Sequence, residues 1–171
     1  AMRPWLLLLM LLAAPAQALL EAARGEADWR RWGSGEMSWF GFALYRATLW
    51  VADESPAPPS PPLALVLEYR RALPGERIAR ASEEEMRRLG AEEAELARWG
   101  ESMRALFPDV APGDTLTGIH LPSGGARFYF RERLLGEIAD AEFARRFFAI
   151  WLDPRTRAPA VRSALLQGPP P

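Results

Sequence analysis

The sequence predicts an α+β fold, on three observations. Its first structured stretches are rich in β-favouring residues, and one alternates its faces with period two, as strands do. Beyond residue 82 the period changes to that of helices. Strands, helices, a hairpin and further helices then follow in blocks, which separates α+β from alternating βαβ architecture. A length of 171 residues suits a single domain over 19–171 once a leader is set aside.

Residues 1–18 read as a secretory signal peptide. Met2-Arg3-Pro4-Trp5 is a short basic start, Leu6 to Ala14 carries no polar side chain, and Ala16-Gln17-Ala18 has the small-x-small form of a cleavage site. Ala1, ahead of Met2, reads as a non-native residue. Leu19 and Leu20 lengthen the apolar run, as an anchor would. Gln17 and two prolines interrupt it, and Glu21 and Arg24 close it short of the roughly 20 residues that a spanning helix needs. Cleavage is therefore expected. Its product would be a bacterial periplasmic or secreted protein with no stable membrane span.

The remaining elements follow in order. Met37 to Phe42 and Leu44 to Val51 are rich in aromatic and β-favouring residues. In the second stretch Tyr45, Ala47, Leu49 and Val51 share one face, and Leu44, Arg46, Thr48 and Trp50 the other. The segment 56–62 and the tail 168–171 hold eight of the sixteen prolines and read as a loop and a disordered end. Leu63 to Tyr69 is a third strand. Ser82 with Glu85 three residues later has the form of a capping box. It would set Glu83-Glu84-Glu85 in a first helical turn, where carboxylates complement the dipole. Leu96, Trp99, Met103 and Leu106 recur at three and four and stop before Pro108. Thr115 to Leu121 and Ala126 to Phe130 flank Pro122-Ser123-Gly124-Gly125 and read as a hairpin. Asp140 can cap a helix carrying Phe143, Phe147, Ile150 and Trp151. Pro159 starts a last helix with Val161 and Leu165 facing inward.

Composition excludes several chemistries. Without cysteine there is no disulfide, thiolate metal site or cysteine nucleophile. All 21 basic residues are arginine, which excludes Schiff-base lysine chemistry. His120 is the one histidine, so multi-His metal centres are excluded too, and on a strand rim it reads as structural. A net charge of −1 supplies no field for holding nucleic acid. Gly33-Ser34-Gly35 lacks the third glycine of a phosphate loop and precedes a strand. No metal or cofactor is expected. The aromatic residues leave two readings open: plain packing, or the walls of an apolar ligand cavity.

Several segments together resemble one family. Phe107-Pro108-Asp109-Val110 with Gly113-Asp114, Gly136-Glu137-Ile138-Ala139-Asp140 and Phe147-Phe148-Ala149-Ile150-Trp151-Leu152 look like those of the bacterial chalcone isomerase-like proteins. Tyr45 with Leu49-Trp50, the segment from Ile78-Ala79 to Glu85-Met86, and Leu165-Leu166 fit as well. The resemblance runs from about Gly33 to Gly168. It implies an open-faced β-sandwich: a long curved antiparallel sheet, helices against one side, and a deep apolar cleft between them.

The resemblance also assigns positions. Plant chalcone isomerases hold their substrate through an arginine, a threonine, a tyrosine and an asparagine. Related plastid proteins hold a fatty-acid carboxylate with an arginine and a tyrosine. Carried over, the second-strand threonine or tyrosine falls at Tyr45, the arginine near Glu36, and the enzyme's tyrosine and asparagine at about Ile78 and Glu85. Glu36 and Ile78 supply no donor for a developing oxyanion, so the plant isomerisation is not expected. A carboxylate at Glu36 also repels a fatty-acid headgroup, which leaves a neutral or cationic amphiphile, or a carboxylate held by Arg46 or Arg70. The leading expectation is a non-catalytic exported protein that binds a small apolar or amphipathic, fatty-acid-like molecule beside Tyr45. The alternatives are an envelope protein-interaction module without ligand, and an isomerase or lyase acting on an enone-like substrate.

Overall fold

The computed structural model describes residues 28–52 and 60–169. The expected signal peptide, most of the proline-rich loop and the last two residues of the expected tail lie outside them. Among the described residues, six strands form one open, curved antiparallel sheet in sequence order: β1 Trp29–Trp39, β2 Phe42–Ala52, β3 Leu63–Tyr69, β4 Thr115–His120, β5 Ala126–Phe130 and β6 Arg133–Ile138. Helices α1 (Gly75–Arg88) and α2 (Glu93–Leu106) are inserted between β3 and β4. Helices α3 (Ala141–Leu152) and α4 (Pro159–Leu166) follow β6. The fold is α+β, with the helices packed on one face of the sheet.

Period-two patterning decides which face they cover. Tyr45, Ala47, Leu49 and Val51 of β2 are all buried against the helical layer, as are Leu63, Leu65, Leu67 and Tyr69 of β3. In register with them, Leu116 of β4 and Phe128 of β5 complete the inner face. The outer face is not bare. Ala64, Ile119, Leu121 and Tyr129 form a second, smaller buried cluster, with Trp29 and Trp50 packed against it.

The inner layer is one contiguous cluster with an aromatic centre. Phe128 meets Phe107, Phe143 and Phe147 edge-on, at centroid distances of 5.1, 6.3 and 5.2 Å. Phe147 in turn meets Trp151 at 5.3 Å. Such pairs contribute about 0.5–1.5 kcal/mol each beyond the area they bury. Where the resemblance implies a deep cleft, these side chains meet one another.

The structure departs from the sequence reading at three elements. Ser82 does not open a helix: α1 starts at Gly75, and the Ser82 hydroxyl donates to the Ile78 carbonyl within it at 2.8 Å. Its true start is capped from a distance, because the Gly75 N–H donates to Asp109 Oδ1 at 2.8 Å. The capping signal is thus 34 residues away in sequence. Accordingly Glu83-Glu84-Glu85 lies in the second half of α1, where Glu83 pairs with Arg104 and Glu85 with Arg88. Secondly, β1 begins at Trp29, and Phe40-Gly41 is its turn into β2. Both turn residues have positive φ, 48° and 77°. Such values match the tight primed turns that suit hairpin twist. Thirdly, Arg133–Ile138 is a strand, although glycine interrupts its pattern.

The hairpin over Pro122–Gly125 and the later helices are as the sequence predicts. The Asp140 side chain caps α3 by accepting from the Phe143 N–H at 3.0 Å. Its other oxygen accepts from Trp99 Nε1 at 2.9 Å, tying α2 to α3. Burial would raise the Asp140 pKa, but these donors outweigh it and hold it below the usual carboxylate range. Pro159 stands in the first turn of α4, with Val161 and Leu165 buried. That helix lies so close over β1 that a Cβ on Gly33 would collide with the carbonyl oxygens of Ala164 and Leu165.

Candidate functional site

Tyr45 is the polar point of the inner layer. It lies near the start of β2, opposite Met37 of β1 and Tyr69 of β3. Its ring meets Tyr69 edge-on at 5.6 Å, and its hydroxyl accepts from Trp151 Nε1 of α3 at 2.9 Å. Burial pushes the Tyr45 phenol up to about 12, and the nearby Glu85 charge adds to the effect. Tyr69 is raised as well, by burial and by Tyr45. Both phenols are therefore neutral at ordinary pH.

The hydroxyl is only half used. Tyr45 Oη accepts a hydrogen bond and retains its own proton, for which no acceptor is present among the described residues. A buried phenol normally places that proton. Above it, Glu85 of α1 is shared between Arg88 at 3.2 Å and Arg157 at 3.0 Å, the latter from the loop between α3 and α4. The arrangement is a neutral donor beneath an ion-paired rim.

The other expected positions scatter. Glu85 belongs to this region, and Ile78 of α1 packs against the core as a half-buried alkyl side chain. Glu36 does not face Tyr45. It is paired in register with Arg46 on the outer face, with contacts to Arg46 at 2.9 Å and Arg70 at 3.3 Å. Burial opposes its ionisation, yet the two arginines outweigh that and hold its carboxyl below the usual range. Strand alternation explains the misplacement. Residues cross-strand from Tyr45 and from Arg46 must lie on opposite faces, and Glu36 is opposite Arg46. The same geometry removes Arg46 and Arg70 as holders of a carboxylate in the interior.

His120 stacks on Phe148 with ring centroids 5.0 Å apart and planes 6° from parallel. Burial lowers its pKa. It packs at the rim where β4 ends, as a structural histidine does. Among the described residues no three acidic or histidine side chains are grouped to hold a metal. Trp151, Tyr69 and Arg157 were not singled out from the sequence as site residues. Only the position of Trp151 in the Phe147–Leu152 segment hinted at it.

The sequence pattern of the family described as chalcone isomerase-like matches residues 30–167. The chain belongs to that family. An uncharacterized protein of Haemophilus influenzae is 29% identical over 140 residues, which cover 82% of this chain and 69% of that one. In structure, the chain is similar to a fatty-acid binding protein of Arabidopsis thaliana, with a TM-score of 0.61 and 10% identity. The superposition covers 82% of this chain and 89% of that chain. At that identity the likeness is one of fold.

Family membership gives the quoted segments physical roles. Asp109 caps α1, while Leu73 and Val110 bridge their two loops through paired backbone bonds of 3.0 and 2.9 Å. Asp114 accepts from the Ala111 N–H at 2.7 Å and pairs with Arg131. The Phe107–Asp114 segment of this chalcone isomerase-like protein thus secures the crossover from helices to sheet.

Proposed function

We propose that the protein binds a small apolar or amphipathic molecule between the helical layer and the inner face of the sheet, without chemical conversion. The observation that carries this reading is the unspent Tyr45 proton, buried among aromatic side chains at the position to which the resemblance carries the family's ligand-holding tyrosine. A ligand carbonyl, ester or carboxylic oxygen would accept it, and an apolar tail would replace packing between Phe147, Trp151 and α1. A fatty-acid binding protein of the same fold supports this class of ligand. An ionised headgroup would have Arg157 or Arg88 as its partner, in competition with Glu85. Catalysis has no comparable support, since His120 packs on Phe148 at the strand end remote from Tyr45.

Native mass spectrometry of gently purified protein, followed by uptake of a fluorescent fatty-acid analogue, tests the reading. Saturable one-to-one uptake that weakens roughly tenfold in Tyr45→Phe is expected, as the loss of one buried hydrogen bond implies. Protein that arrives empty and takes up no analogue would overturn it. The filled interior favours the second reading, an interaction module without ligand, and that result would establish it as the better one.

We also propose export to a bacterial periplasm or medium, on the pattern of residues 2–18. N-terminal sequencing of protein from its native host should begin at Leu19. A chain still carrying residues 2–18 in the cytoplasm would refute this.

A further inference from the structure

Antiparallel order brings four chain points to one end of the sheet: the β1–β2 turn, the end of β3, the start of β4 and the β5–β6 turn. All four exposed large hydrophobic residues among those described lie there. Trp39, Phe40 and Phe42 at the first turn are 61, 83 and 62% exposed, and Leu134 beside the last is 55% exposed. The turns are separated by four strand spacings, roughly 20 Å along the sheet. Phe40 is the most telling. It occupies a left-handed backbone position, φ 48°, where a bulky residue is costly and Asn or Asp is usual. Nothing in the fold's packing asks for an aromatic side chain at an exposed turn.

Charge accompanies these side chains. Arg71 lies over the Phe42 ring at 5.1 Å and Arg131 over Phe130 at 5.2 Å. Among the described residues Arg71 meets no carboxylate. Arg46 and Arg70 share Glu36 and Glu68, so three arginines face two glutamates around the first turn. Aromatic rings flanked by arginine suit the boundary between lipid headgroups and acyl chains. There the rings bury their faces and the guanidinium groups reach phosphate.

We propose that this end of the sheet docks on a phospholipid bilayer surface, with Trp39, Phe40 and Phe42 inserted and Arg71 on lipid phosphate. The inference goes beyond the ligand reading and does not depend on it. Because the chain has no cysteine, single sites can be labelled in full-length protein. Ala43→Cys beside the turn and Ser123→Cys at the opposite end of the sheet would each carry an environment-sensitive fluorophore. Vesicles of phosphatidylcholine with phosphatidylglycerol are expected to shift the label at 43 to the blue and leave that at 123 unchanged. The segment before Trp29 joins the sheet at the end that carries Ser123, so binding through that segment would bring the label at 123, not that at 43, to the vesicle. Replacing Trp39, Phe40 and Phe42 together by serine should weaken the response at 43 roughly tenfold or more. Equal responses at the two sites, or an unchanged response after the triple substitution, would overturn the proposal. So would a shift at 43 that follows protein concentration without vesicles, which would identify a second copy as the occupant.

Discussion

Neighbouring residues of β2 meet opposite worlds. Tyr45 faces inward, neutral and buried, with one bond to Trp151. Arg46 faces outward in an ion-pair network with Glu36, Arg70 and Glu68. Both positions are polar and both are hydrogen-bonded, yet they differ in what their loss costs. A buried partner left unpaired suffers the full desolvation penalty, whereas an exposed ion pair is replaced by water. Polarity alone therefore says little about importance; the face of the strand decides it.

The contrast can be broken most forcefully at the inner aromatic centre. Phe128→Ala should lower stability by about 3–5 kcal/mol, measured by urea denaturation, because its ring is fully buried among three others. A cost below that of an exposed substitution would mean that the interior is loosely packed. Tyr45→Phe should cost about 1–3 kcal/mol by leaving Trp151 Nε1 without its acceptor.

Alkali offers a way to address the inner face without mutation. The Tyr45 phenol is raised from 10.0 to about 12 in the folded protein. Between those values the unfolded chain loses the proton and the native state keeps it. Stability is thus fully present below pH 10 and falls as pH rises toward 12, with Tyr69 acting in the same direction. The denaturation midpoint should fall across that range in wild type and fall less steeply in Tyr45→Phe, where Tyr69 remains. The outer face provides the smallest effect. Glu36→Ala should change stability by less than about 1 kcal/mol, and added salt should shrink the difference further.

The same division governs how much could be read from sequence. Period-two alternation in residues 44–51 announced which side chains turn inward, and Asp140, Pro159 and the Pro122–Gly125 turn marked their elements through local chemistry. The start of α1 was illegible because its cap, Asp109, comes from a distant loop, while Ser82 and Glu85 mimic a local one. β6 was missed because Gly136 breaks its pattern and Leu134 is exposed. At the site, Tyr45 could be found from its position on the strand. Glu36 could not be placed, since its face depends on register across the β1–β2 hairpin. The register shift between Met37 and Ser38 lies between that residue and the turn.

The docking of α4 onto Gly33 has a consequence for how the chain folds. The two segments in contact are separated by nearly the whole described sequence, so their meeting closes a very long loop. Closure entropy grows slowly with length, but it must be met before the contact contributes anything. α4 should therefore dock late onto the β1–β2 hairpin, after the sheet and the inserted helices have condensed. That contact should open first in the native state, and amide protons of α4 should exchange faster than those of β3 and β4.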